Sequence, residues 1–308
     1  MNLKKTSKIV PETISQAQRE RLAYLEMKAW FAGELRRPDI EARFGVKPAA
    51  ASRDLTAYRE AAPDNLEYDT ADRCYRPTVA FKPLFAFEPD RVLAWFAQGF
   101  GDGLEPRPRR PAPFEGPGNP CVPDLEILAR VGRALCSGRA LKIQYLSVSS
   151  GKAFREIVPV ALADSGNRWH VRAFDRRNVR FSDFVLRRIV RAEILEGETA
   201  EGERLAADEQ WARMVELEMV PHPSARWSEG IEADYAMRDG ALRVKTRAAT
   251  AGYFLRRWNV DCSPDHRLDP SSHHLWLRNQ ETLYGVESAA AMAPGRGSNE
   301  HENKEGNV

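Results

Sequence analysis

Residues 38–61 read PDIEARFGVKPAAASRDLTAYREA, and this stretch decides the N-terminal fold. Pro38 and Asp39 open a short helix: proline has no N–H to leave unsatisfied in a first turn, and aspartate carries the charge that a helix N-terminus favours. Ile40 and Phe44 face inward. Gly45 ends the helix, because glycine enters the left-handed conformation of a tight turn without steric cost. Pro48 opens the next helix, which is predicted to run to about Ala61, with Ala51, Leu55 and Tyr58 as a core stripe at helical spacing. Upstream, Leu22, Leu25, Ala29 and Ala32 share one face of a helix over 16–32. Helix, short glycine-containing turn and helix together predict a helix-turn-helix.

The outward face of the last helix carries Ala49, Arg53 and Thr56, with Ser52 and Arg59 at its edges and Lys47 just before it. The small residues at 49–51 permit close approach to base edges, and Arg53 at the centre has the fork geometry that pairs with guanine. Downstream, 65–69 and 73–76 read as two short strands around Thr70-Ala71-Asp72. That is a wing, with Arg73 and Arg76 placed for phosphates. A three-helix unit that binds protein has the same helical pattern; the wing favours DNA.

At 308 residues the chain suits two or three domains. Hydrophobic residues at 43% and charged residues at 29% fit a soluble globular protein, and no apolar run approaches the roughly 18 residues of a membrane helix. The first fifteen residues lack the apolar core of a signal peptide, so the expectation is a cytoplasmic protein that spans no membrane. The four cysteines lie far apart without a CxxC pair, which fits free thiols in a reducing compartment.

Seven prolines and four glycines fall within 101–123, a composition that reads as a semi-stiff linker. The expected organisation is a winged helix-turn-helix with a following helix over 14–100, the linker, a sensor domain over 124–196, an α+β extension over 204–291, and a disordered tail over 292–308. The net charge of +2 hides an asymmetry: residues 138–191 carry 12 Lys/Arg against 4 Asp/Glu, and residues 192–308 carry 13 against 21. The middle segment therefore points to an anionic partner, and the acidic last third does not.

In that middle segment 140–145, 168–174 and 184–190 alternate like half-buried strands, with polar turns at 147–152 and 164–167, which predicts a small barrel or curled sheet. Trp169, Val171 and Ala173 share one face, read as core; His170 and Arg172 share the other. His170 and Arg172, with either Arg187 or Arg188 nearby on the next strand, form a candidate phosphate clamp, and Arg155 is a further candidate ligand residue. Tyr145 is placed to stack a base and Ser147 to add a hydroxyl. Arg187 and Arg188 point to opposite faces of a regular strand, so only one of them lines a pocket unless a bulge intervenes.

The succession Ile143-Gln144-Tyr145, Arg155…Pro159, Arg168-Trp169-His170-Val171-Arg172-Ala173-Phe174 and Phe184…Arg187-Arg188-Ile189 resembles the WYL domain of bacterial regulators. The strings Phe44-Gly45-Val46…Ala51-Ser52-Arg53-Asp54-Leu55 and Ala62-Pro63-Asp64-Asn65-Leu66…Tyr68-Asp69 are similar to regulators of phage-defence operons, the BrxR and CapW type. The name-giving Trp-Tyr-Leu stands here as Trp169-His170-Val171. The resemblance implies an α+β multidomain chain: an N-terminal winged helix-turn-helix, a central Sm-like β-barrel and a C-terminal α+β extension that helps dimerisation. It also implies that the barrel senses a nucleotide or oligonucleotide, and that binding there alters affinity for a double-stranded operator.

In the last third, 241–246 and 274–277 read as strands around a helix over 248–258. His266, His273 and His274 lack a Cys or carboxylate at ligand spacing, so no metal site is expected, and no cofactor motif occurs. An enzyme acting on nucleotides would need carboxylates or a nucleophile–base pair in the basic segment. That segment offers only Glu156, Asp164, Asp175 and Asp183, and no GxSxG, P-loop or HExxH pattern appears. With the resemblance, the expected function is a homodimeric, DNA-binding transcriptional repressor of a phage-defence operon, without catalytic residues, that binds an inverted repeat and is released by its ligand; an activator of the same architecture and a nucleotide-processing enzyme are the alternatives.

Overall fold

The computed structural model describes residues 14–98 and 120–296, which fall into two compact units: residues up to 162 together with 171–199, and residues 163–170 together with the chain from 200. Most of the expected linker and tail, 101–119 and 297–308, lies outside the described residues.

In the first unit α1 (Gln16–Met27) is capped by Ser15, whose Oγ accepts the Gln18 N–H. The single helix expected over 16–32 changes form: Lys28–Ala32 is a π-helix, closed by Gly33 at φ 88°. Met27, Ala29, Trp30 and Phe31 are all buried, a run that a regular 3.6-residue period does not place on one face. The helix-turn-helix follows as read, with α2 (Arg37–Phe44), Gly45 at φ 64° and α3 (Pro48–Ala61). The wing is the antiparallel pair β1 (Leu66–Asp69) and β2 (Cys74–Pro77), whose turn holds Arg73 at φ 54°. Leu35 and Tyr75 exchange backbone hydrogen bonds of 2.9 and 2.8 Å, which ties the wing to the segment before α2. A further helix, α4 (Pro89–Gln98), follows.

Two buried carboxylates hold these helices in place. Asp54 on α3 accepts from Arg21 Nε at 2.6 Å and Gln18 Nε2 at 3.2 Å, both on α1. Glu26 on α1 is fully buried and accepts the Tyr58 hydroxyl and the amides of Leu84 and Phe85. Burial pushes its carboxyl up to about 7, against the opposing pull of those three donors.

The remainder of this unit is α5 (Leu125–Ser137), capped by Asp124 and closed by Gly138, and a five-stranded sheet. The sheet order is β6-β5-β4-β3-β7, from β3 (Leu141–Ser147), β4 (Gly151–Asp164), β5 (Trp169–Asp175), β6 (Arg180–Val185) and β7 (Ile189–Ile194). The strand expected over 184–190 is two strands, split by a 3-10 turn at Leu186–Arg188. Those three residues join β6 to β7, the opposite edges of the sheet. Helix α5 packs on the π-helix: a Cβ on Gly132 would stand 2.6 Å from the Phe31 carbonyl and 2.6 Å from Phe96 Cζ.

In the second unit the sheet order is β10-β11-β8-β9. Its chain order is α6 (Glu209–Ala212), β8 (Met214–Pro221), α7 (Ser228–Asp234), β9 (Leu242–Arg247), α8 (Ala248–Arg257), β10 (Val260–Asp261), β11 (Leu275–Leu277) and α9 (Glu287–Met292). Two strands and one helix of this set were legible in sequence; β8, which pairs with both β9 and β11, was not. Leu217, Met219, Leu255, Leu275 and Leu277 are fully buried at its centre. Beside them His222 and Asp261 form a buried pair, Nε2 to Oδ2 3.2 Å. Burial opposes the Asp261 charge, but hydrogen bonds from Ser263, Leu268 and His222 outweigh it and hold the carboxyl below its usual range.

Candidate nucleic-acid interface and sensor face

Helix α3 buries Ala51, Asp54, Leu55 and Tyr58 and leaves Lys47, Ala49, Arg53, Thr56 and Arg59 exposed, with Ser52 half-buried. Arg53 Nε donates to the Ala49 carbonyl at 3.4 Å and Thr56 Oγ1 to the Ser52 carbonyl at 3.1 Å. Both bonds lie along the helix and keep these side chains close to its surface.

A groove of about 500 Å³ runs between α2, α3 and the wing. Ser52, Thr56, Arg59 and Arg73 line it, together with Arg36, Arg37 and Tyr68, and no carboxylate does. The four arginines come from three elements, so the charge appears only in the fold. Arg36 and Arg37 were missed in sequence because their distance from α3 along the chain hides their proximity to it. Arg76, also expected to reach phosphates, is not among the residues that line this groove. Its guanidinium binds Asp69 at 3.0 Å and Asp72 as well, across the wing turn, and so fixes that turn. Those acids and Cys74 are the only three-residue ligand grouping among the described residues.

The expected sensor residues are largely internal. Tyr145 is buried; its hydroxyl accepts the Val185 N–H at 3.2 Å and its ring meets Phe184 edge-on at 5.2 Å. Ser147 Oγ accepts the amides of Ser149 and Ser150, both at 3.2 Å, and so caps the β3–β4 turn. Arg155 pairs with the buried Asp175 and Arg172 with Asp183, each at 3.2 Å. His170 is buried and stacks on Tyr253 with ring centres 4.8 Å apart. Trp169, expected in the core, is half-buried. The 3-10 turn separates the two adjacent arginines: Arg187 is exposed and Arg188 half-buried.

Three family models match the chain. The winged helix-turn-helix domain of the BrxR transcriptional regulator covers residues 17–98, the WYL domain covers 126–194, and the C-terminal dimerization domain of BrxR covers 214–283. The DNA-binding transcriptional repressor CapW of Pseudomonas aeruginosa is 30% identical over 279 residues, 86% of this chain and 90% of that protein. CapW of Escherichia coli strain KTE188 is 29% identical over 287 residues, 87% of this chain and 91% of that protein. CapW of Stenotrophomonas maltophilia is 29% identical over 275 residues, 86% and 91%.

Together these define a winged-helix, WYL-domain transcriptional regulator rather than an enzyme. The chain belongs to the CapW/BrxR family of DNA-binding transcriptional repressors, with a C-terminal dimerization domain. Among the described residues, no helix is long and apolar enough to cross a membrane.

Proposed function

We propose that the chain is a cytoplasmic repressor of a phage-defence operon, which binds an inverted-repeat operator as a homodimer and is released by a nucleotide or oligonucleotide at its WYL domain. The observation that carries the DNA half is the carboxylate-free groove between α3 and the wing, with four arginines on its walls. In this reading α3 enters the major groove, Arg53 reads a base edge, and Lys47, Ser52, Thr56, Arg59 and Arg73 position the phosphate backbone. Two-fold symmetry of the protein then demands a palindromic site.

The sensor half rests on the +8 segment, 138–191, and on the sheet that carries it. The two edges of that sheet, β6 and β7, are joined by three residues, which a flat five-stranded sheet does not permit. This short connection supports the reading of the sheet as curled, in the manner of the Sm-like barrel implied by the resemblance. The division into 14–100, 101–123, 124–196, 204–291 and 292–308 is part of the same proposal.

Gel shift of the full chain on its own upstream DNA tests the reading. Retention on an inverted repeat at a salt concentration where scrambled DNA is released is the expected result. Equal retention of both sequences would remove the operator assignment.

A further inference from the structure

The WYL sheet carries a cavity on the face opposite Tyr145 and Arg155, and of the residues expected to bind the effector only Arg187 lines it. Tyr145 and Arg155 share a face with buried Ile143. Arg155 and Arg172 are already engaged by carboxylates, so a ligand there would have to displace Asp175 and Asp183. The other face, between α5 and strands β3, β4 and β7, holds a cavity of about 710 Å³, within the range of small-molecule sites.

The strand register assembles its wall. Gln144 lies opposite Phe154 on one side and opposite Arg191 on the other, so an aromatic ring, an amide and a guanidinium stand in one row. Phe154 is 58% exposed, a large apolar surface in mid-strand. Arg187, from the 3-10 turn, and Arg130, from α5, complete the cationic side, and Arg188 is not among the walls. Arg130 donates to the Ala192 carbonyl, and Lys142 approaches the Phe154 ring at 5.9 Å; among the described residues none of the four cations has an ion-pair partner. Three carboxylates also border the cavity, and one of them, Asp124, is committed to the amides of Glu126 and Ile127 at the start of α5.

We infer that this cavity is a binding site for a nucleoside phosphate. The base stacks on Phe154 and is hydrogen-bonded at its edge by Gln144, and the phosphate is held by Arg191 and Arg187. The inference rests on the effector reading above and moves its site. Helix α5 is a wall of the cavity and also, through Gly132, the element seated on Phe31 of the DNA-binding domain. Occupancy therefore acts on the helix that the operator-binding part leans against.

Titrating the full chain with AMP, GMP, CMP and UMP by calorimetry tests it. At least one is expected to bind with a Kd below ~1 mM. Arg191→Glu, an exposed position, and Gln144→Ala are each expected to weaken that binding ~tenfold or more, with Arg172→Ala unchanged. No binding of any of the four with a Kd below ~1 mM overturns the inference, as does binding that survives both cavity variants. Binding lost in the cavity variants, with operator affinity unaltered by the nucleotide, supports the site and removes its role as effector site.

Discussion

The Tyr58 hydroxyl donates a 2.6 Å hydrogen bond to the buried Glu26 carboxylate, joining the recognition helix to α1, and the same hydroxyl accepts from Asn65 Nδ2 at 2.9 Å. Asn65 in turn accepts the Lys82 N–H, and Glu26 accepts those of Leu84 and Phe85. One polar chain thus connects α1, α3, the start of the wing and the segment that follows it. Each member is satisfied internally, so removing one leaves another stranded away from water.

Tyr58→Phe removes the hydroxyl from that chain and keeps the ring. The Asn65 amide and one Glu26 oxygen lose a partner inside the core, and the expected cost is about 1–3 kcal/mol. Denaturant unfolding of the winged-helix part checks this, and an unchanged midpoint would show that water replaces the hydroxyl.

Burial raises the Glu26 carboxyl to about 7 in the folded protein, against 4.5 for the ordinary group. Between those values the folded chain holds a proton that the unfolded chain has released, so stability falls as pH rises through this window and levels off above it. The full effect is on the order of 3 kcal/mol. Hydrogen exchange of the Leu84 and Phe85 amides, corrected for intrinsic rates, is expected to show less protection at pH 7.5 than at pH 5.5, with the difference abolished in Glu26→Gln. Protection independent of pH in the unaltered chain would refute this account.

Gly132→Ala places a methyl against a backbone carbonyl and the Phe96 ring, both 2.6 Å from its Cβ. The carbonyl belongs to the π-helix and cannot swing aside as a flexible side chain does, so overpacking of about 1–3 kcal/mol is expected. A lowered melting temperature with loss of protection in both α5 and the π-helix is the signature. Loss confined to α5 would mean that the two helices are not coupled.

Arg53→Ala is expected to relax base preference, because a fork that reads a base edge contributes to one sequence over another. Arg73→Ala and Arg37→Ala are expected to weaken binding to all sequences alike and to lower the salt slope by about one each. Binding to operator and scrambled DNA across a salt series separates the two kinds of residue. If all three variants behave alike, Arg53 is a phosphate contact too.

The helix-turn-helix was legible because its signals are local: Pro38 and Pro48 open helices, Gly45 closes one, and the stripe Ala51, Leu55, Tyr58 buries as spaced. The sensor strands were legible in kind but not in partners. Alternation places Arg172 on a strand; it reveals neither β4, which carries Arg155, nor that Asp175 and Asp183 meet the two arginines, which depends on which strands pair. The same holds for Gln144, whose neighbours Phe154 and Arg191 come from different strands. Nothing local in the sequence marks Glu26 as buried, and only the approach of Tyr58 and residues 84–85 accounts for its place in the core.

The π-helix at Lys28–Ala32 sets the rotational phase of everything before it. If this turn wound as α-helix with all its residues kept, each would turn the chain by about 100° instead of about 80°, and α1 would swing by roughly 90° about its axis. Glu26 would then leave its three donors and Arg21 would leave Asp54, while the helix-turn-helix itself kept every residue it has. The extra residue of the wide turn thus keeps both buried carboxylate contacts in phase: a substitution that tightens the turn to α-helix misaligns the two at once, whereas a one-residue deletion that tightens it leaves them aligned.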